Sequence, residues 1–300
     1  ENIPALYTLM NYADIKGGTW YPQGGMYKIA EAMYSLANEL GVLFHFDEEV
    51  KKIVVTDKKA GHIVTKDKAG CIKTYEADVV IGGADYHHIE TALLQPQHRT
   101  YSDAYWEKRV MAPGCLLYYI GINKKLKNLQ HHNLFFDASF EVHGKEIYTT
   151  KTWPSDPLFY ACVPSVTDET VAPAGCENLF LLIPAAAGLK GDTEMLRKKY
   201  FDLIIQRMEK HTGQEIANSI VLYKSFAHSD FEEAYHSFKG NAYGLANTLM
   251  QTAILKPKCR SKKLGNLFFT GQLTVPGPGV PPSIISGEVV AGEVIKFLNA

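Results

Sequence analysis

The sequence predicts an α/β fold in which part of a doubly wound sheet is interrupted by a second, mainly antiparallel domain. Three observations carry that expectation. Near the N-terminus a helical pattern precedes short apolar strands, one of which, Ala77-Asp78-Val79-Val80-Ile81, closes on Gly82-Gly83 as buried parallel strands do. Between about residues 100 and 226 the chain turns to successive aromatic and β-branched runs, most of them separated by polar and proline-rich turns, which suits antiparallel pairing. Between Phe226 and Tyr243 it returns to the first domain and ends on a strand, a turn and a helix. The expected division is therefore residues 1–99, 100–226 and 227–300.

Taken in order, Met26, Ile29, Ala30, Met33, Leu36, Ala37 and Leu40 recur in steps of three and four. That spacing marks an amphipathic helix, and Gly41 is placed to end it. Residues 42–46 and 50–55 read as short strands. Residues 62–65 and 71–75 read as a hairpin around Lys66-Asp67-Lys68-Ala69-Gly70. In the middle of the chain, strands are expected at 115–122, 147–152, 158–163, 179–184 and 220–226, with a long helix over 193–211 before the last. Asn266-Leu267-Phe268-Phe269-Thr270-Gly271 reads as a buried strand closing on glycine.

Composition narrows the function. Three hundred residues, 46% hydrophobic and 21% charged, describe a folded chain rather than a disordered one. Thirty-one basic and 32 acidic residues leave a net charge of −1, which offers nothing to attract nucleic acid or an anionic membrane surface. Five cysteines without a CxxC pair argue against a disulfide framework or structural zinc and suit a reducing cytoplasm. His87-His88 and His131-His132 read as solvated loop histidines, because adjacent residues share no helix face and diverge across a strand. No metal site is expected. No run approaches the ~20 apolar residues of a membrane span. The chain opens at Glu1 in mid-pattern, without a signal peptide, and reads as a piece of a longer protein.

The C-terminal turn, Pro276-Gly277-Pro278-Gly279-Val280-Pro281-Pro282, is the most informative feature. Prolines give no N–H, so the donors left are Gly277, Gly279, Val280, Ser283 and Ile284. Pro282 suits the first helical position. Behind it, Ser283, Gly287 and Ala291 form a stripe of small residues that admits a flat group closely. Convergent N–H groups at a helix N-terminus stabilise the negative charge that two-electron reduction leaves on a flavin N1–C2=O edge. The same spacing also suits a proline-braced loop before a buried helix, and spacing alone leaves both readings open.

Residues 266–287 resemble the C-terminal signature of the bacterial-type phytoene desaturases, which are FAD-dependent carotenoid desaturases. That signature is an NLYFxG strand, a THPGxG turn, a proline and a small-residue helix. Trp20-Tyr21-Pro22-Gln23-Gly24-Gly25-Met26, Gly41-Val42 with Glu49-Val50-Lys51-Lys52-Ile53, Ala77 to Ile81, and Gly240-Asn241-Ala242-Tyr243-Gly244 resemble further stretches of the family. The resemblance runs from about Tyr12 to Leu298. It implies that residues 1–99 and 227–300 belong to a partial FAD-binding doubly wound sheet and residues 100–226 to a substrate domain. It implies FAD as cofactor, with Val50, Gly271, Gln272, Gly279, Val280, Pro281 and Ile284 beside it and Tyr243 facing the substrate. The implied reaction desaturates a carotenoid precursor such as phytoene.

The resemblance also implies a lipophilic polyene partner and peripheral membrane attachment, with the helix bearing Phe226, Phe231, Tyr235 and Phe238 as a candidate contact. The aromatic strand residues Tyr118, Tyr119, Phe159, Tyr160 and Phe180 would suit a polyene tunnel or simply a core. No catalytic acid or base is assigned. Two departures stand out. Gln272-Leu273-Thr274-Val275 replaces the family's Ala-Gly-Thr-His, and the strand–GxGxxG–helix that cradles the FAD pyrophosphate is absent. The chain as given is therefore expected to be inactive, to hold FAD poorly and to self-associate into homo-oligomers. A carotene isomerase or retinol saturase on the same fold, or a flavin-free isoprenoid-binding module, remains the alternative.

Overall fold

A computed structural model describes residues 4–300. In chain order it contains helix α1 (Tyr27–Glu39) and strands β1 (Glu48–Thr56), β2 (Lys59–Asp67), β3 (Ile72–Glu76) and β4 (Val80–Gly82). Strands β5 (Gly114–Ile122), β6 (His132–Phe135), β7 (Phe159–Cys162) and β8 (Glu177–Ala185) follow. Helix α2 (Glu194–Thr212), β9 (Ile220–Phe226), helix α3 (His228–Tyr235), β10 (Leu267–Phe269) and helix α4 (Val280–Leu298) complete it. The chain forms two compact units, one built mainly from Phe44–Ala112 and Phe231–Ala300, the other from Tyr7–Leu43 and Pro113–Asp230.

In the first unit, β1, β2 and β3 form an antiparallel sheet, with Ile53 opposite Ile63 and the expected hairpin between β2 and β3. Strands β4 and β10 pair in parallel, Phe268 opposite Ile81 and Phe269 opposite Gly82. All three residues of β10 are buried, as the continuous apolar run requires. Residues 42–46, expected as a strand, instead join no sheet among the described residues. Leu43 is accordingly 83% exposed.

Asn266 joins these pieces. Its Oδ1 accepts the Ala60 amide at 2.8 Å, and its Nδ2 donates to Ala60 O at 2.9 Å and Asp78 O at 3.0 Å. The two bonds to Ala60 are buried, so Asn266→Ala strands two buried polar groups. The expected cost is about 2–4 kcal/mol, measured by urea unfolding; a loss below about 1 kcal/mol would contradict the role.

Glu48 anchors the same sheet at its edge. Its carboxylate binds the Lys73 ammonium, the Tyr75 hydroxyl at 2.8 Å and the Thr65 hydroxyl at 3.0 Å. Lys73 first, then Tyr75, hold its pKa down at about 2, against 4.5 for a free glutamate. A depressed carboxylate stabilises the fold above the unfolded pKa and loses that contribution as pH falls through the folded one. Hydrogen exchange in β1 and β3 should therefore quicken between the free-glutamate range and pH 2. Glu48→Gln should already exchange quickly at neutral pH and lose that acid step.

The second unit holds a five-stranded antiparallel sheet in the order β6-β7-β8-β5-β9. Leu117 pairs with Leu182, and Tyr118 with Leu181, within it. Alternate residues of β5 and β8 (Leu116, Tyr118, Ile120; Leu179, Leu181, Ile183) pack against Phe201, Ile204, Ile205 and Met208 of α2. Residues 147–152, expected as a strand, instead form a helical turn, Glu146–Thr150, continuing the short helix Phe140–Lys145. Ser139 caps that helix by accepting the Val142 amide at 3.3 Å, and a short apolar run fits helix and strand equally well. Helix α1 is helical as expected, yet none of its residues is buried.

Candidate functional site

The end of β10 organises the C-terminal turn. Phe269 stacks on buried Tyr86, ring centroids 3.6 Å apart, and the Thr270 amide donates to Gly82 O at 3.0 Å, extending the parallel pairing. The Gly271 amide then donates to Ser286 Oγ at 2.9 Å, and that hydroxyl donates to Ser283 O at 2.7 Å. One serine thus fastens the strand end to the first turns of α4. Above Gly271 there is open space, since a Cβ there would meet nothing within 4 Å.

Gly279 is the N-cap of α4, at φ 115°, a conformation that suits glycine alone. The first helical residue is Val280, and Pro281 and Pro282 follow, so Pro282 stands third rather than first as the sequence suggested. The Ser283 amide is not a free donor as expected; it closes the first helical bond to Gly279 O at 2.9 Å. The amides of Gly277, Gly279 and Val280 have no hydrogen-bond partner among the described residues. They gather at the positive end of a 19-residue helix. Val280, Pro281 and Ile284 are exposed, as are Ser283, Gly287 and Ala291, while Ser286 and Val290 form the buried side.

A second turn packs against this one. Buried Asn241 accepts the Gly244 amide at 2.6 Å and the Gln272 side-chain amide at 3.3 Å through Oδ1, and donates to Phe238 O at 2.6 Å. A Cβ on Gly244 would lie 2.6 Å from Gln272 O, so the two backbones touch. Tyr243, 39% exposed, is thereby held beside Gln272. Gln272, where the family's motif has alanine, makes this link. Val50 belongs to the separate three-stranded sheet, opposite Thr65, and is half-buried there.

Sequence reasoning passed over Lys256. It is 2% exposed, and a Cβ on Gly277 would stand 3.4 Å from its Nζ. Its polar contact is a long one, Asn247 Oδ1 at 3.5 Å, and burial pushes its pKa down. A buried, weakly partnered cation beside Gly277, in a turn with free amides, suits an electron-rich or anionic group, as the N1–C2=O edge of a reduced flavin is. Gly277, Gly279, Val280 and Lys256 would hold that edge, and the open face of Gly271 would admit the ring.

Other expectations are revised. Tyr118 and Phe159 are core residues, whereas Tyr119, Phe180 and Tyr160 contact one another across β5, β8 and β7, with centroids 5.3 and 6.3 Å apart. Phe238, one of the residues of the candidate membrane contact, is buried. His87 and His88 are half-buried, His87 tilted against Phe238 and His88 stacked on His236, rather than solvated. His131 and His132 do not diverge, because His131 precedes the first residue of β6; their rings are 4.3 Å apart.

The family of flavin containing amine oxidoreductases matches residues 4–295. The chain is 40% identical over 293 residues to a carotenoid 3,4-desaturase of Haloarcula japonica, covering 98% of this chain and 58% of that protein. It is 29% identical over 304 residues to a zeta-carotene-forming phytoene desaturase of Myxococcus xanthus, covering 99% and 56%. An oxidoreductase structure from Methanosarcina mazei superposes with a TM-score of 0.64 at 15% identity, covering 96% of this chain and 58% of that one. Cyclohexylamine oxidase from Brevibacterium oxydans does so at 0.52 and 10%, covering 92% and 54%. The structural likenesses show the fold. The chain spans less than three-fifths of the length of each of these relatives.

Proposed function

Because the chain belongs to the flavin-containing amine oxidoreductase family, we propose that the whole protein is an FAD-dependent desaturase of carotenoid precursors such as phytoene. The observation that carries this reading is the set of free amides at Gly277, Gly279 and Val280 in the turn before α4, with buried Lys256 beside Gly277. When bound, the flavin supplies the two-electron acceptor: a hydride leaves one carbon of the polyene, a proton leaves its neighbour, and a double bond forms. The chain's own contribution is electrostatic, through amides, helix end and ammonium that favour the reduced, electron-rich ring.

The pyrophosphate needs a glycine loop and a helix N-terminus of its own, and the chain has no strand–GxGxxG–helix. We assign that half to sequence outside these residues. Two facts support this: the greater length of the relatives and the uncovered apolar surface of α1, where Met33 and Leu36 are more than half exposed. Tyr243 and the row Tyr119, Phe180 and Tyr160 are proposed to meet the polyene. No helix among the described residues is long and apolar enough to cross a membrane; peripheral contact, by which a lipid-dissolved substrate would reach the protein, belongs to the proposal, as does self-association through uncovered apolar surface.

The test is product analysis. Protein carrying its upstream coding sequence, supplied with FAD and phytoene in lipid, should yield products lighter by two hydrogens per turnover. Products of unchanged mass would mark an isomerase, heavier ones a saturase, and polyene binding without flavin a carrier. Each of these would overturn desaturation.

A further inference from the structure

Strands β6 and β7 place an unassigned cluster of ligands at the edge of the five-stranded sheet. His132 stands directly opposite Cys162 in the antiparallel pairing, and the next residue, Val163, donates its amide to His131 O at 2.8 Å. One ring nitrogen of His131, one of His132 and the Cys162 Sγ all lie within 4.8 Å of one another. From the cross-strand pairing and this proximity, we propose that His131, His132 and Cys162 form a binding site for a divalent transition metal of the zinc class.

The hydrogen bonds around the rings support it. His131 Nδ1 lies 2.6 Å from Thr167 Oγ1, and that hydroxyl donates its own hydrogen to Pro164 O at 3.4 Å. With Nδ1–H donating to the Thr167 oxygen, the His131 lone pair is on Nε2. That atom is buried and has no hydrogen-bond partner among the described residues. A buried acceptor left without a donor is costly, and a metal cation would satisfy it. His132 Nδ1 lies 2.6 Å from the Tyr160 hydroxyl, so both rings are oriented by a second group, as metal-binding imidazoles are.

The spacing needs little adjustment. Zinc bonds of roughly 2.0–2.3 Å would draw the three atoms together by about an ångström. His132 is exposed at the sheet edge, where its ring can shift with the Tyr160 hydroxyl toward the other two. Asp168 is nearby but already engaged, its oxygens accepting the Gly24 amide at 2.7 Å and the Thr170 hydroxyl at 2.6 Å. The fourth position would fall to water. A cysteine binds such an ion as its thiolate, so metal binding would expel the thiol proton. The His131 ring also packs edge-on against Tyr21, centroids 4.6 Å apart, so a bound ion would brace the Trp20–Met26 segment against the sheet.

The experiment is a cobalt(II) titration of the full chain, reading thiolate-to-cobalt charge transfer, with proton release and zinc competition. One equivalent should bind, release about one proton per ion, and be displaced by zinc. Cys162→Ser, nearly isosteric, should abolish the charge-transfer band, and Cys71→Ser should leave it intact. His132→Gln, at an exposed position that leaves the core untouched, should weaken binding at least about tenfold. Absence of stoichiometric binding, or a band that survives Cys162→Ser, would overturn the site. The outcome is independent of flavin binding, so it stands or falls apart from the desaturase reading.

Discussion

Arg197→Met is expected to cost about 3–5 kcal/mol of stability in the unit that carries the five-stranded sheet. Arg197 lies in the first turns of α2 and its side chain is 8% exposed. Its guanidinium grips Asp192 with two bonds of 2.6 and 2.7 Å, and reaches Asp230 at 2.7 Å, Ser229 at 3.0 Å and Ser225 at 3.3 Å. Asp192 would otherwise be raised by burial; Arg197, then Ser229, reverse this and hold its carboxyl below the usual range. Removing the cation leaves Asp192 buried without its counter-charge, and that uncompensated charge makes the loss large. Lysine restores charge without the planar fork, so Arg197→Lys should recover only part. Urea unfolding followed by tyrosine fluorescence reads the change. A loss under about 1 kcal/mol would mean that the network behaves like an ordinary surface pair.

The second large effect is expected at Gly279. Its φ of 115° strains any other residue, and a Cβ would come within 3.2 Å of the Pro282 ring. Gly279→Val combines about 1–3 kcal/mol of backbone strain with a branched side chain. The least costly relief is to move the N-cap, which takes the Gly277 and Val280 amides off their common target. Flavin retention in the whole protein should fall by roughly a hundredfold, equivalent to about 3 kcal/mol. Any residual flavin should show a lower reduction potential. Far-ultraviolet circular dichroism should be unchanged, since the rest of α4 is anchored by Val290 against Phe268 and Cys259. Wild-type flavin content and potential in this variant would show the turn to be structural.

Features written in local chemistry were legible from the sequence. Strand β10, the turn and α4 follow from a buried apolar run, glycines and prolines, and α2 from its helical period. Gly271 and Gly279 could be singled out because their demand is on their own backbone. Strand β6 was missed because His-Asn-Leu-Phe is too short to show alternation, and it depends on β7 for pairing. Residues 42–46 were read as a strand from composition, but pairing needs a neighbour. Asn241, Lys256 and Ser286 carry no local signal. Each acts on a group 15 or more residues away: Asn241 on Gln272, Lys256 beside Gly277, Ser286 on Gly271. The histidine pair was misjudged for a related reason, since the rule of alternating faces applies inside a strand and His131 lies just outside one.

The central claim is that this chain carries the flavin-ring end of an FAD site whose pyrophosphate end lies elsewhere. Visible absorption and FAD titration test it most directly, run on the 300-residue chain and on the protein expressed with its upstream coding sequence. The expected result is a colourless 300-residue chain without tight FAD binding, and a yellow longer protein with one flavin per chain. One tightly bound FAD on the shorter chain, or none on the longer, would contradict it.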